Sequence, residues 1–307
     1  MSNSATPGLG WILAAPRSAF SIRALVPVWL WIWALDALVR LLPGELAAWV
    51  VLPLVGLTGI PLWAFCALLS ASSAARKPIV LRAAIARVRR ACPTFYSAPL
   101  FTVVVPALFL AVAWAGAILG RIPIVGGGLL LAWASTGGLV LSILAACWIL
   151  VGLPSITLQI PASVIEHPHP MDVASRALSY VRRRPLLLAW SSLASVAITL
   201  LATAVFVAFL SIVMGSLLTI LGVGAGARPE ISALGSQVAA VWRQPSVWWP
   251  FPAPWPDRVA TSVPLGELLV ARFAPAFLLV SLAAASARVY ACMRLAIDDV
   301  PLGSMDS

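Results

Sequence analysis

The stretch "IEHPHPMDVASRALSYVRRRP", residues 165–185, lies between long apolar runs. It holds both histidines, two of the ten acids and four of the arginines. It reads either as an active site or as a polar stop that fixes how the chain sits in a membrane. Composition favours the stop. Of the 307 residues, 62% are hydrophobic and only 10% charged. A water-soluble domain carries about 25% charged residues. So apolar a chain cannot cover its surface in water. It can do so in lipid, where one helical span needs about 20 mostly apolar residues.

Working outward, the apolar runs predict spans near 24–42, 50–73, 97–120, 129–152, 187–221 and 264–290. Pro27, Pro53, Pro61, Pro106 and Pro275 fall inside them. Packed membrane helices tolerate such kinks. The run 187–221 is too long for one upright span at about 1.5 Å per residue. It reads as one long helix projecting past the bilayer, with a re-entrant hairpin as the alternative. The opening twenty residues lack a basic-then-apolar leader design, so no cleaved signal peptide is expected. The expectation is an all-α polytopic membrane helix bundle, a single integral domain over 1–307.

Charge sets orientation. With six spans, one side receives Arg17, Arg23, Arg76, Lys77, Arg82, Arg87, Arg89, Arg90, Arg176, Arg182, Arg183, Arg184, Arg288 and Arg294. The other receives Arg40, Arg121, Arg228, Arg243, Arg258 and Arg272. That division is 14 to 6 of the 20 basic residues. Lys- and Arg-rich loops stay cytoplasmic. The reading is therefore a bacterial inner (cytoplasmic) membrane protein, multi-pass, with both termini cytoplasmic. The net charge of +10 is mostly this topological signal. No nucleic-acid motif accompanies it, so nucleic acid is not an expected partner.

The opening stretch has a relative in "RKPIVLRAAIARVRRACP", residues 76–93. On a helix, Leu81, Ala84, Ile85 and Val88 share one face there. Val173, Ala174, Ala177, Leu178 and Val181 share one face in the opening stretch. The two align as Ala84–Arg90 and Ala177–Arg183, and each ends near a proline, Pro93 or Pro185. Both read as cytoplasmic basic amphipathic helices lying in the interface. Arg82, Arg87, Arg89, Arg90, Arg176, Arg182, Arg183 and Arg184 would then bind anionic lipid, with Tyr180 at the boundary. A basic helix followed by a two-span hairpin suggests repeated units, 76–152 and 170–290.

Glu166, His167 and His169 could offer three metal ligands. They are adjacent rather than spaced along a helix as in HExxH, and no further histidine exists. A helix start explains them better. Pro170 suits the first turn, Asp172 the positive N-terminus, and Arg182, Arg183 and Arg184 the other end. Asp172 can also pair with Arg176 at i+4. Neither a metal nor a cofactor is expected. Asp36 lies inside the first span, where an acid is a functional-site hypothesis by default. Arg40, four residues on, makes an intramembrane ion pair the plainer reading. No GxSxG, Walker sequence or HExxH occurs, and "GGG" at 126–128 reads as a turn. The segment 223–263 carries Trp242, Trp248, Trp249 and Trp255 among prolines, which suits a loop along the outer interface. Trp248, Trp249 and Trp255 could also dock another membrane protein. Gly116 and Gly120 could do so through close helix approach.

Two stretches carry a resemblance, "DVASRALSYVRRRP" and "ARVYACMRLAIDDV" (287–300). Through Asp172, Ser175, Arg176, Ser179, Tyr180, Arg184, Pro185, Tyr290, Arg294 and Asp298, the chain resembles an uncharacterised bacterial family of six-helix membrane proteins. More distantly it is similar to the membrane domain attached to some glycerophosphodiester phosphodiesterases. The catalytic domain of those enzymes has no counterpart here. The resemblance implies a six-helix membrane domain without an established activity. The expected role is structural or accessory, a scaffold or subunit and not an enzyme. The alternative is a transporter or channel for a small solute or ion.

Overall fold

The computed structural model describes residues 14–42, 44–75, 77, 79–116, 118, 126–166, 169–224 and 272–300. Among these residues there is no strand. The helices are α1 (Ala15–Ala19), α2 (Ile22–Leu41), α3 (Gly44–Ala74), α4 (Leu81–Gly116), α5 (Gly126–Trp133), α6 (Leu139–Glu166), α7 (Pro170–Arg183), α8 (Pro185–Gly224) and α9 (Phe273–Asp298). A π-helical turn, Ala134–Gly138, joins α5 to α6. Among the described residues, six helices are long and apolar enough to cross a membrane. Their surfaces agree with that reading. Only 6% of the Pro185–Val213 window is buried, and Leu193, Leu200, Leu201, Val205 and Phe209 face outward. So much exposed aliphatic surface on consecutive turns suits a hydrocarbon solvent. The chain is multi-pass.

The second expected basic element is not separate. Residues 81–93 are the first part of α4, a 36-residue helix that runs through Pro93, Pro99 and Pro106. A proline removes one helical hydrogen bond and crowds the preceding turn. Here packing overrides it. Ala84, Val88, Ala91, Phe95 and Ala98 form one buried stripe at helical spacing, unbroken across Pro93, whose own side chain is exposed. At Pro185 no such stripe exists. Arg182 through Leu186 are all exposed, Arg184 leaves the helical region at φ −139°, and α8 restarts at the proline. This follows the restriction a proline places on its predecessor. The run 187–221 lies within α8, one continuous helix of 40 residues. The glycines at 126–128, expected as a turn, open α5.

Contacts divide the chain into two compact units, 1–85 with 190–289, and 86–189 with 290–307. This division differs from the proposed repeats. In the first unit, α2 pairs with α3 and α1 packs on both. Trp31 Nε1 donates to Thr58 Oγ1 at 2.7 Å, and Trp63 Nε1 donates to Ser286 Oγ of α9 at 3.2 Å. Phe20, Phe277 and Phe206 form a chain of ring contacts, and Trp29 stacks on Phe273. Asp36 pairs with Arg272 at 2.6 Å, 236 residues away, and both are buried. The Arg40 side chain lies outside the described residues. Alanines make α9 slender, and 72% of its window is buried.

In the second unit, α4 and α6 share a buried polar network. Gln159 Nε2 donates to Thr102 Oγ1 at 2.8 Å and to Ser155 Oγ at 3.0 Å. Trp148 Nε1 donates to the Thr102 carbonyl at 2.9 Å. Interhelical bonds of this kind are worth about 0.6 kcal/mol on average in a membrane. Ser135 and Thr136, within the π-helical turn, donate back to carbonyls one turn earlier. Such back-bonding loosens a helix. Gly116 does permit a close approach, but to this chain. A Cβ there would lie 1.9 Å from the Trp133 ring, so the indole already fills that space. Gly120 and all of 225–271, with Trp248, Trp249 and Trp255, lie outside the described residues.

Candidate functional site

The second unit gathers six polar side chains from three helices. Glu166 is the last residue of α6. Arg176 and Tyr180 stand one turn apart on α7, whose first turn contains Pro170 and Asp172 and whose last contains Arg182 and Arg183. Tyr290, Arg294 and Asp298 follow at intervals of four on α9, and so share a face. Asp299 ends that helix with φ at 55°, a left-handed conformation that Asp tolerates better than most residues.

Glu166 is the hub. Its Oε1 accepts from the Tyr290 hydroxyl and lies 3.0 Å from Arg294 Nε, and its Oε2 accepts from Arg176 Nη1. The Tyr180 hydroxyl donates to Asp298 Oδ2. Tyr180 and Tyr290 are fully buried, with ring centroids 6.1 Å apart. One carboxylate, Glu166, thus faces two guanidinium groups and one phenol, and the second carboxylate, Asp298, accepts from the other phenol. A buried ion pair is tolerated when its geometry is good and extra hydrogen bonds serve the remaining lone pairs. Arg294 Nη1 finds no acceptor among the described residues.

The electrostatics oppose acid–base chemistry at Tyr180. Burial first, then the hydrogen bond to Asp298 and that residue's charge, push the phenol well above its usual range. Burial pulls the Arg176 guanidinium down. The charge of Glu166, with smaller contributions from Tyr290 and Tyr180, more than restores it, and the net shift is upward. The phenol stays neutral and the guanidinium charged. Such an arrangement binds helix ends together.

Several expected site residues stand elsewhere or differently. Tyr180 points into the protein rather than toward head groups. Val173, Ala174, Ala177 and Val181 are buried too, and α7 packs on α6. The apolar face of α7 is therefore covered by protein rather than by acyl chains. Arg176 turns to Glu166 instead of Asp172. Arg87 Nε and Nη2 donate to the carbonyls of Val164 and Ile165 at 3.0 and 2.6 Å. Those carbonyls end α6 and have no helical partner, so a cation there is favoured. Arg82, Arg89, Arg90, Arg182, Arg183 and Arg184 are exposed, and so are Leu81 and Ile85. His169 is exposed before α7, and His167 lies outside the described residues.

Glu166 as a hub was not expected, nor was the Gln159 network. Spacing signalled the second, since Ser155, Gln159 and Ser163 stand four apart, as on one helix face. The first was signalled only indirectly. Arg176, Tyr180, Tyr290, Arg294 and Asp298 all lie in the two stretches on which the expected resemblance rested, and the cluster brings them together with Glu166. No family model, curated protein or solved structure matches this chain.

Proposed function

We propose that this is a bacterial inner-membrane protein with a structural or accessory role, a scaffold or membrane subunit rather than an enzyme. One observation carries the reading. In the six-residue cluster both guanidinium groups are taken up by Glu166 and both phenols donate to carboxylates, so its polar groups tie helix ends to one another. Six arginines remain exposed near the ends of α4 and α7, namely Arg82, Arg89, Arg90, Arg182, Arg183 and Arg184. In this reading they hold anionic lipid on the cytoplasmic side, each contributing about 1 kcal/mol. The start of α4, with Leu81 and Ile85 exposed, is the better candidate for an interfacial element. The resemblance to six-helix bacterial membrane proteins points the same way.

A second reading is transport, favoured by the buried Asp36–Arg272 pair at the end of α2. Charged pairs inside membrane proteins often mark ion pathways. Affinity purification of the intact protein from native membranes, with identification of bound proteins and lipids, separates the two. A scaffold brings a stoichiometric partner and gives no proton flux in liposomes. Proton flux that is lost in Asp36→Asn would replace the scaffold by a transporter.

A further inference from the structure

The first unit contains a cleft of about 390 Å³ between α1, the start of α2, the end of α3 and α9. Its polar wall consists of Arg17, Arg288, Ser18, Ser21, Ser70 and Ser73, and the rest of the lining is apolar. No Asp or Glu is among the described residues that line it. Arg288 and Ser70 are buried, whereas Arg17, Ser21 and Ser73 stand at exposed positions. The cleft therefore runs from an open end with one guanidinium to an inner end with another.

The local geometry adds to this. Ser21 is the N-cap of α2, yet its hydroxyl makes no capping bond to its own helix. An N-cap serine ordinarily accepts from the first-turn N–H groups. Here the Ser21 carbonyl takes the bonds from the N–H of Ala24 and Leu25, and Ser21 lines the cleft. A helix N-terminus carries a partial positive charge that favours an anion. Ser70 Oγ donates to Ser18 Oγ at 3.4 Å, and Ser18 Oγ donates to the Ala15 carbonyl at 2.5 Å. These two hydroxyls fix the inner wall, while Ser21 and Ser73 supply donors nearer the mouth.

We infer that this cleft binds a phosphate group, held by Arg17 and Arg288 with hydroxyls and the start of α2 completing the shell. Guanidinium groups match phosphate oxygens in geometry as well as charge. The volume accommodates a phosphorylated head group and exceeds what bare phosphate requires. Two sources share the chemistry, an anionic phospholipid from the adjoining leaflet and a soluble phosphate ester. The charge asymmetry places Arg17 and Arg288 on the cytoplasmic side, where both are present.

The test uses the full chain, purified and delipidated in neutral detergent. Thermal shift and native mass spectrometry follow titration with phosphatidylglycerol, phosphatidylcholine, glycerol 3-phosphate and inorganic phosphate. Phosphatidylglycerol retained above phosphatidylcholine, and not displaced by the soluble esters, identifies the lipid. Saturable binding of glycerol 3-phosphate identifies the soluble ligand. In either case Arg17→Gln should weaken binding about tenfold, the effect of losing one charge-assisted contact. Ser21→Ala should weaken it less. Both are surface changes and should leave the melting temperature of the empty protein unchanged. Arg288→Gln should abolish binding, provided that it folds. The triple variant Arg182→Gln/Arg183→Gln/Arg184→Gln should bind as the wild type does, which separates this cleft from the surface arginines of the scaffold reading. Failure of all four probes to bind would overturn the inference. So would binding untouched by Arg17→Gln and Ser21→Ala.

Discussion

At Glu166 a single carboxylate joins α6, α7 and α9, so its loss should be felt more than that of either phenol. Glu166→Ala leaves Arg294 and Arg176 facing no anion at the hub and Tyr290 without its acceptor. Removing one partner of a buried pair costs about 3–5 kcal/mol, and the half-exposure of Arg176 places this case near the lower figure. Tyr180→Phe removes one hydrogen bond, to an exposed acid, and should cost about 1 kcal/mol. Apparent melting temperatures in one detergent would rank the two, and a larger effect of Tyr180→Phe would refute the hub. The Tyr180 phenol also gives a pH prediction. Its folded-state pKa is raised above the ordinary 10.0, so its hydrogen bond contributes in full below pH 10 and is lost only as pH climbs through the folded-state value. Alkaline titration of tyrosinate absorbance should therefore show no step near pH 10 that disappears in Tyr180→Phe. The same comparison in denaturant should show one. A Tyr180 step near pH 10 in folded protein would contradict its burial.

Among the elements, α4 and the α7–α8 junction show how one residue type has opposite consequences. Pro93 sits within a helix whose buried stripe continues on both sides, and Pro185 sits in the exposed run from Arg182 to Leu186. Packing holds the first helix together and gives no reason for the second to continue. Pro93→Ala should restore the missing hydrogen bond at an exposed position. It should stabilise the protein on the order of 1 kcal/mol, part of the ~3 kcal/mol that an interior proline costs in a free helix. Pro185→Ala removes a residue suited to a first helical turn and should bring no such gain. Melting temperatures of the two variants decide this. A clear loss of stability in Pro93→Ala would mean that a bend at that residue is needed for packing.

For the whole molecule the division of basic residues leads to a topology. Residues 76–93, residues 165–185 and both termini should be cytoplasmic, with 223–263 outside. After replacement of Cys66, Cys92, Cys147 and Cys292, a cysteine placed at Ser236 should react with an impermeant reagent from outside intact cells. One placed at Ser175, exposed on α7, should react only once the membrane is opened. Labelling at position 236 from the cytoplasmic side alone would reverse the assignment.

The sequence by itself determined the helical class, six apolar lengths and the start of α7 at Pro170. These depend on composition, on run length and on neighbours within one or two turns. Tertiary structure alone decided the partners. Arg272 meets Asp36 across 236 positions, Tyr290 meets Glu166 across 124, and Asp298 meets Tyr180 across 118. Spacing along a helix showed that Val173, Ala177 and Val181 share a side, but not whether that side met lipid or protein. Apolar residues look alike to both solvents, so α7 could be read as lying in acyl chains although α6 covers it. The same ambiguity hid the continuity of α4. A proline ends a helix by local rules, and only the buried stripe from Ala84 to Ala98, formed against distant parts of the chain, overrules them.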